Sequence, residues 1–295
     1  MVIIKVHSFK RDKSVDVEME NVPDESYELI RKSLFRLLKE KRAFEAIAEA
    51  YVYAVELCPD ANPSDVWQHI IYRTYMDAGN NEQSWKRASG QGFEEAFARI
   101  YNPRLAQYGI RLVVLSKSSA VKALKEMKLT GKIEPSKMDI AIEGNCNPLA
   151  EEWRIFGVVH GKTSLAERIK DDAPASRVIM KKGFLSVAAT LDSKSFPPPH
   201  GDGVNHGELG GRTIAMGLKK NQPKRNYFEK DGDFTNGYSY NLRTPESPEK
   251  TKSGSRIKTL SFAEKQPDIF VNDVVSYWKS KRMDICKKMP VTKVK

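Results

Sequence analysis

Apolar residues recur at helical intervals through the first third of the chain, and the pattern changes near Gly109. Between residues 25 and 57, Leu29, Ile30, Leu34, Leu37 and Leu38 share one side of a 3.6-residue period. That spacing predicts one long helix or two abutting ones. The two prolines of CPDANPSD end the run, and Ser64 is placed to cap a helix over DVWQHIIYRTYM. A Gly-Asn turn leads into a further helix over SWKRASGQGFEEAFARIY, Ser84 to Tyr101. Phe93, Phe97 and Ile100 fall on one face of it, so Glu94 stands at the edge of a core-facing helix. Ahead of all this, the β-branched alternation of MVIIKVHSFKRDKSVDVEME predicts a strand or hairpin.

After Gly109 the period alternates. IRLVVL reads as a strand, SAVKALKEMKL as a helix, MDIAIE and RIFGVVHGK as strands, and PASRVIMKKGFLSVAATL as a return to helix. FPPPHGDGVNHGELGG and the lysine-rich polar run from Lys219 to Ser255 read as long loops, with short strands at YSYNL and RIKTLSF. PDIFVNDVVSYWKSKR closes the chain as an amphipathic helix with a basic tail. The fold class expected is α/β, a central mixed sheet flanked by helices. We expect one domain over 1–295, with a mainly helical part at 1–105, an α/β core at 106–195 and a loop-rich part at 196–295.

Composition narrows the function classes. With 40% hydrophobic and 29% charged residues the chain fits a globular protein, and no apolar run is long enough for a membrane span. The N-terminus lacks the order of a signal peptide, so a cytoplasmic location is expected. Cys58, Cys146 and Cys286 are scattered and never form a CxxC pair, which predicts three separate thiols and neither a disulfide framework nor a zinc site. The net charge of +11 favours a polyanionic partner, and nucleic acid is the usual one.

Several motifs compete for the chemistry. GKT imitates the end of a phosphate-binding loop, but only three residues separate Gly157 from Gly161 where a Walker loop needs four. Two of those three are valines that prefer a strand, so no nucleotide cofactor is expected. His200 and His206 lie in a Pro/Gly-rich loop that suits zinc poorly, and no G-x-S-x-G elbow occurs. Asp139 heads DIAIE, and Lys162 ends RIFGVVHGK on the same parity as His160, Val158 and Phe156. Paired strands would bring this acid and this lysine to neighbouring ends, the skeleton of a metal-dependent phosphodiesterase site. Strand-end charges are ordinarily only solvated. Just beyond stand Glu167 and Arg168; an arginine can fork onto guanine and a glutamate can accept from cytosine, although an isolated Glu-Arg pair is more simply a surface ion pair.

Taken in order, SWKRASGQGFEEAF, SKMDIAIE and VVHGKTSLAERIKDDAPASR resemble the Type II restriction endonucleases of the CCGG-cutting group, which have the PD-(D/E)xK fold. CPDANPSDVWQHIIYR and LDSKSFPPPHGD extend the resemblance over most of the chain, towards members that read a six-base site with a CCGG core. The resemblance implies Asp139 as a metal ligand, Lys162 as the catalytic lysine, and Glu94 as the helix glutamate supporting a Mg²⁺ site. It implies Glu167 and Arg168 as DNA-reading residues and Gln83 as a minor-groove contact. It also implies a double-stranded DNA substrate, 5′-phosphate products with four-base 5′ extensions, and a homodimer on DNA, a tetramer being left open.

Two positions depart from the pattern. The residue two before the lysine is His160 where an acid is expected, and about thirteen residues beyond the lysine the chain reads PAS. The second carboxylate then falls to Glu94, with Asp171 and Asp172 regarded as outsiders. Ala166 replaces the first arginine of the reading element, leaving Lys170, Arg177 or a backbone group for that contact. A non-catalytic sequence-specific DNA-binding protein and, more remotely, a P-loop nucleotidase remain the alternatives.

Overall fold

The structure, a computed structural model, describes residues 1–7, 14–165, 168–193, 204–210, 223–263 and 268–287. An antiparallel hairpin of β1 (Val2–His7) and β2 (Ser14–Met19) opens the chain, as the alternation predicts. The leucine-patterned stretch forms two helices, α1 (Asp24–Glu40) and α2 (Ala43–Leu57). A short helix α3 (Pro63–Asp65) continues through a π-helical segment, Val66–Ile71, into α4 (Tyr72–Asp77). The cap of this run is Asn62 rather than Ser64: its side chain accepts the Ser64 N–H at 3.2 Å, with Pro63 at the first helical position, where a missing donor costs nothing. Helix α5 (Glu82–Ala106) follows, capped by Asn81, which accepts the Ser84 N–H at 2.9 Å.

Beyond α5 come β3 (Ile110–Val114), α6 (Lys117–Glu126), β4 (Ile140–Asn147), β5 (Glu152–Lys162) and α7 (Arg168–Lys181). They are followed by β6 (Leu185–Thr190), α8 (Pro223–Glu229), β7 (Asn236–Ser239), β8 (Ile257–Thr259) and α9 (Ile269–Lys287). The six strands β3 to β8 form one mixed sheet in sequential order. Pairings β3–β4 and β4–β5 are antiparallel, while β5–β6, β6–β7 and β7–β8 are parallel.

Helices cover both faces. Phe93, Phe97 and Tyr101 of α5 pack with Ile140, Ile142 and Val159 on one side of the sheet. On the other, Ala123 and Leu124 of α6 and Ile179 of α7 pack with Ala141, Ile155 and Val158. This is the α/β arrangement the sequence predicts. One strand parity changes within it. The β4–β5 register shifts between Ile142 and Glu143, which pair with Gly157 and Ile155, so Phe156 is an extra residue in a bulge. Phe156 therefore joins the α5-side core, whereas Val158 keeps to the opposite face.

Two expectations are corrected. The stretch from Pro174 to Leu191 is not one helix. Gly183, at φ +81°, ends α7, and residues 185–190 are a fully buried strand between β5 and β7. A strand buried on both faces has no solvent-facing polar side, and β6 buries even Ser186 and Thr190, so the usual apolar-in, polar-out alternation is missing. The three thiols are not all separate either. Cys146 and Cys286 form a disulfide with their Cα atoms 5.6 Å apart, and only Cys58 is free. The cause is tertiary: Trp278 of α9 lies so close over Gly144 that a Cβ there would meet the indole at 2.5 Å, which brings the end of β4 alongside the end of α9. Among the described residues, no helix is long and apolar enough to cross a membrane.

Candidate active site

The antiparallel register of β4 and β5 sets the site. Ile140 pairs with Val159, so the start of β4 meets the end of β5. Asp139 sits just before β4, anchored by its carbonyl accepting the Leu115 N–H at 2.9 Å. Its Oδ2 accepts the Gly161 N–H at 3.1 Å and the Lys162 Nζ at 2.6 Å. The acid and lysine expected at neighbouring strand ends are thus in direct contact.

Each helical layer then contributes one more carboxylate. Asp172 of α7 approaches from one face, its Oδ2 lying 3.0 Å from Lys162 Nζ and its Oδ1 3.7 Å from Lys137 Nζ. Glu94 of α5 approaches from the other, its stem against Gly161, where an added Cβ would meet Glu94 Cγ at 3.1 Å. Glu94 and Asp139 line a cleft of about 500 Å³ together with Leu115, Lys117, Glu134 and Met138.

The electrostatics follow from crowding. Burial and the nearby Asp139 push the Glu94 carboxyl up to about 8, against the pull of Lys162. Burial opposes the charge on Lys162, but Asp139 and Asp172 outweigh it and hold its pKa above the ordinary lysine value. The His160 imidazole, 1% exposed, is driven towards the neutral form by burial, despite Asp172 and Asp139.

The sequence reading gave Asp172 only as an outside candidate, and the structure brings it against Lys162. Its signal lay in the helix phase: Ile169, Asp172, Ala173, Ser176 and Ile179 fall on the buried face of a helix that starts at Arg168. With the start placed later, near Pro174, that phase is invisible. Glu167 lies outside the described residues; Arg168 opens α7, but its side chain lies outside them too, as does His200. Of the substitutes considered for the missing arginine contact, Arg177 is engaged with Asp233 at 2.6 Å. Gln83 is exposed in the first turn of α5 and lines a second cleft, of about 490 Å³, with Arg87 and Gln91. Gln83, Arg87, Gln91 and Glu94 follow one another along a single stripe of α5, so Gln83 lies roughly 16 Å along the helix from the carboxylate cluster.

A family model described as "BsaWI restriction endonuclease type 2" matches residues 119–266. The Type II restriction enzyme AgeI of Thalassovita gelatinovora is 44% identical over 276 residues, covering 91% of this chain and 97% of its own. The chain belongs to the Type II restriction endonucleases. It is accordingly a site-specific deoxyribonuclease. The solved structure of specific restriction endonuclease AgeI in complex with DNA is similar over 94% of this chain and 99% of that one, with a TM-score of 0.85 at 42% identity. The restriction-endonuclease fold is therefore shared across the helical first third and the mixed sheet alike.

Proposed function

We propose that the enzyme cuts both strands of a six-base palindrome with a CCGG core, using a divalent cation, Mg²⁺, at the cluster of Asp139, Asp172 and Glu94. The observation that carries this reading is the convergence of three carboxylates and one lysine at a single sheet end. The donor set fits a cation. Ligand atoms of Asp139, His160 and Asp172 all lie within 4.8 Å of one another. One buried atom there, His160 Nδ1, lacks a hydrogen-bond partner, and Asp172 Oδ2 meets only Lys162 Nζ, at 3.0 Å. Clustered carboxylate oxygens suit a hard cation such as Mg²⁺.

When bound, the cation neutralises charge developing on the scissile phosphate and makes a nearby water more acidic. The chain's own groups do the rest. Lys162 is kept as an ammonium by two carboxylates and offers N–H donors to a phosphate oxygen. Asp139, fixed through the Gly161 N–H, holds Lys162 in place. Glu94 supplies a carboxyl whose proton must leave before it can act as a ligand. Glu167 and Arg168 read guanine and cytosine edges, and Gln83 reaches the minor groove from the far end of the α5 stripe. A palindrome is read by two-fold-related copies, so the active form on DNA is a homodimer. By likeness to the group, products carry 5′-phosphates and four-base 5′ extensions.

Incubating a sequenced plasmid with the protein and Mg²⁺, beside an Asp139→Ala control, tests this. Discrete cuts at one CCGG-containing palindrome, mapped by run-off sequencing and absent from the control, are expected. Intact plasmid in both lanes would leave a DNA-binding protein without cleavage.

A further inference from the structure

His160 occupies a position that neither the fold nor the core explains. It stands on β5 two residues before Lys162, on the face to which Asp139 and Lys162 also belong: Ala141 pairs with Val158, and Asp139 and His160 continue that alternation. An apolar side chain would fill the space at less expense. A buried ring nitrogen without a partner loses its hydration with nothing in return, and His160 Nδ1 is such an atom.

The other ring nitrogen is fully engaged. Nε2 lies 3.1 Å from Ser186 Oγ, and that hydroxyl lies 2.7 Å from Ser176 Oγ. Phe234 meets the ring edge-on at 5.5 Å between centroids and fixes its plane. If Nε2 carries the proton and donates it to Ser186, Nδ1 presents a bare lone pair. This is how protein histidines that bind metals are commonly prepared: one nitrogen donates to a polar neighbour, which sets the tautomer and aims the other nitrogen. The distances come close to what an ion needs. Ligands about 2.1 Å from one small divalent ion stand about 3.0 Å apart when adjacent and 4.2 Å apart when opposite. Ligand atoms of Asp139, His160 and Asp172 lie within 4.8 Å of one another, a set that one ion can draw together by a small closure.

We propose that His160 is a ligand of the active-site cation, so that the site is a mixed nitrogen–oxygen centre in which one imidazole joins the carboxylates. This rests on the reading of Asp139 and Asp172 as cation ligands and adds a consequence for metal choice. An imidazole contributes little to a Mg²⁺ site, which demands oxygen, but strengthens binding of Mn²⁺ and the later first-row ions. The enzyme should therefore discriminate between Mn²⁺ and Mg²⁺ more than an all-carboxylate site would. The residue that breaks the acidic motif is then a change of ligand type and not a loss of ligand.

The test is binding of Mn²⁺ to the full chain, read by pulsed electron paramagnetic resonance, with natural-abundance and ¹⁵N-histidine protein compared. The expected result is a directly coordinated ¹⁴N coupling that becomes a ¹⁵N coupling in the labelled protein. It should vanish in His160→Gln, with the Mn²⁺ affinity falling roughly tenfold or more and the Mg²⁺ affinity changing far less. The labelled and unlabelled wild-type spectra decide the question even if the variant does not fold. Mn²⁺ bound without nitrogen coupling, or with a histidine coupling that persists in His160→Gln, overturns the proposal and leaves the carboxylate site standing. If neither ion binds the wild-type protein, or if Asp139→Asn binds Mn²⁺ as tightly as wild type, the carboxylate reading itself falls.

Discussion

Lowering the pH from 8 to 6 should weaken cation binding steeply, and Glu94 should be the cause. Burial and Asp139 hold its carboxyl at about 8 in the cation-free protein, against an ordinary value of 4.5. At pH 7 roughly nine molecules in ten then carry a proton that a cation must displace, and each pH unit below 8 adds about 1.4 kcal/mol. Apparent Mg²⁺ affinity should rise about tenfold per pH unit up to 8 and flatten above it. The sign for stability runs the opposite way. Because the folded value lies above the unfolded one, Glu94 favours the cation-free fold fully in acid, and that contribution is lost as the pH rises through 8. A bound cation offsets the loss. Calorimetric titrations with Mg²⁺ at pH 6 to 9, in buffers of different ionisation enthalpy, count the protons released. Close to one proton per site is expected at pH 7, and Glu94→Gln should bind more weakly with a flat profile. A wild-type affinity that is flat from pH 6 to 8 without proton release, or a slope that survives in Glu94→Gln, would refute the reasoning.

Asp172→Asn should reduce cleavage by on the order of a hundredfold or more, the scale of losing one electrostatic contact to the transition state. Its thermal stability should stay within about 2 kcal/mol of wild type, because Lys162 keeps Asp139 at 2.6 Å. Reducing the Cys146–Cys286 bridge, which spans 140 residues, should lower the denaturation midpoint by an amount equivalent to at most about 5 kcal/mol. An unchanged midpoint would mean that packing alone holds α9 against β4. Gly207→Ala should destabilise the fold by roughly 1–3 kcal/mol in chemical denaturation, since its φ is +67° and a Cβ would meet Asp192 Oδ2 at 2.2 Å. Arg168→Ala should abolish specific cutting in a plasmid digest, as a lost bidentate guanine contact removes about 1–3 kcal/mol per half-site. Full-rate cutting at the same sites would reassign the reading residue.

The parts of the site legible in the sequence were those fixed by strand ends. Asp139 and Lys162 each border a short apolar run, and two such runs pair in few ways. Glu94 was picked out by the resemblance, and the phenylalanines beside it showed only that it stands at the edge of the core-facing side of α5. Asp172 was not legible, because its orientation depends on where α7 begins, and Pro174 in mid-helix points to the wrong start. Strand β6 was hidden for a different reason: every residue from Leu185 to Thr190 is buried, so no polar face betrays its period. The disulfide was hidden by distance along the chain, since nothing local to Cys146 mentions Cys286.

The four ionisable groups at the sheet end draw on opposite sides of the molecule, Glu94 from one helical layer and Asp172 from the other, with the strands between them. No contiguous short piece of the chain contains the whole set, and nearly three-fifths of the polypeptide must be made before the last carboxylate is present. On the proposed reading of the cluster, a half-made or locally unfolded copy should cut no DNA. On that reading, cutting requires both layers to close on the sheet, and the architecture itself would act as a safety catch on a destructive activity.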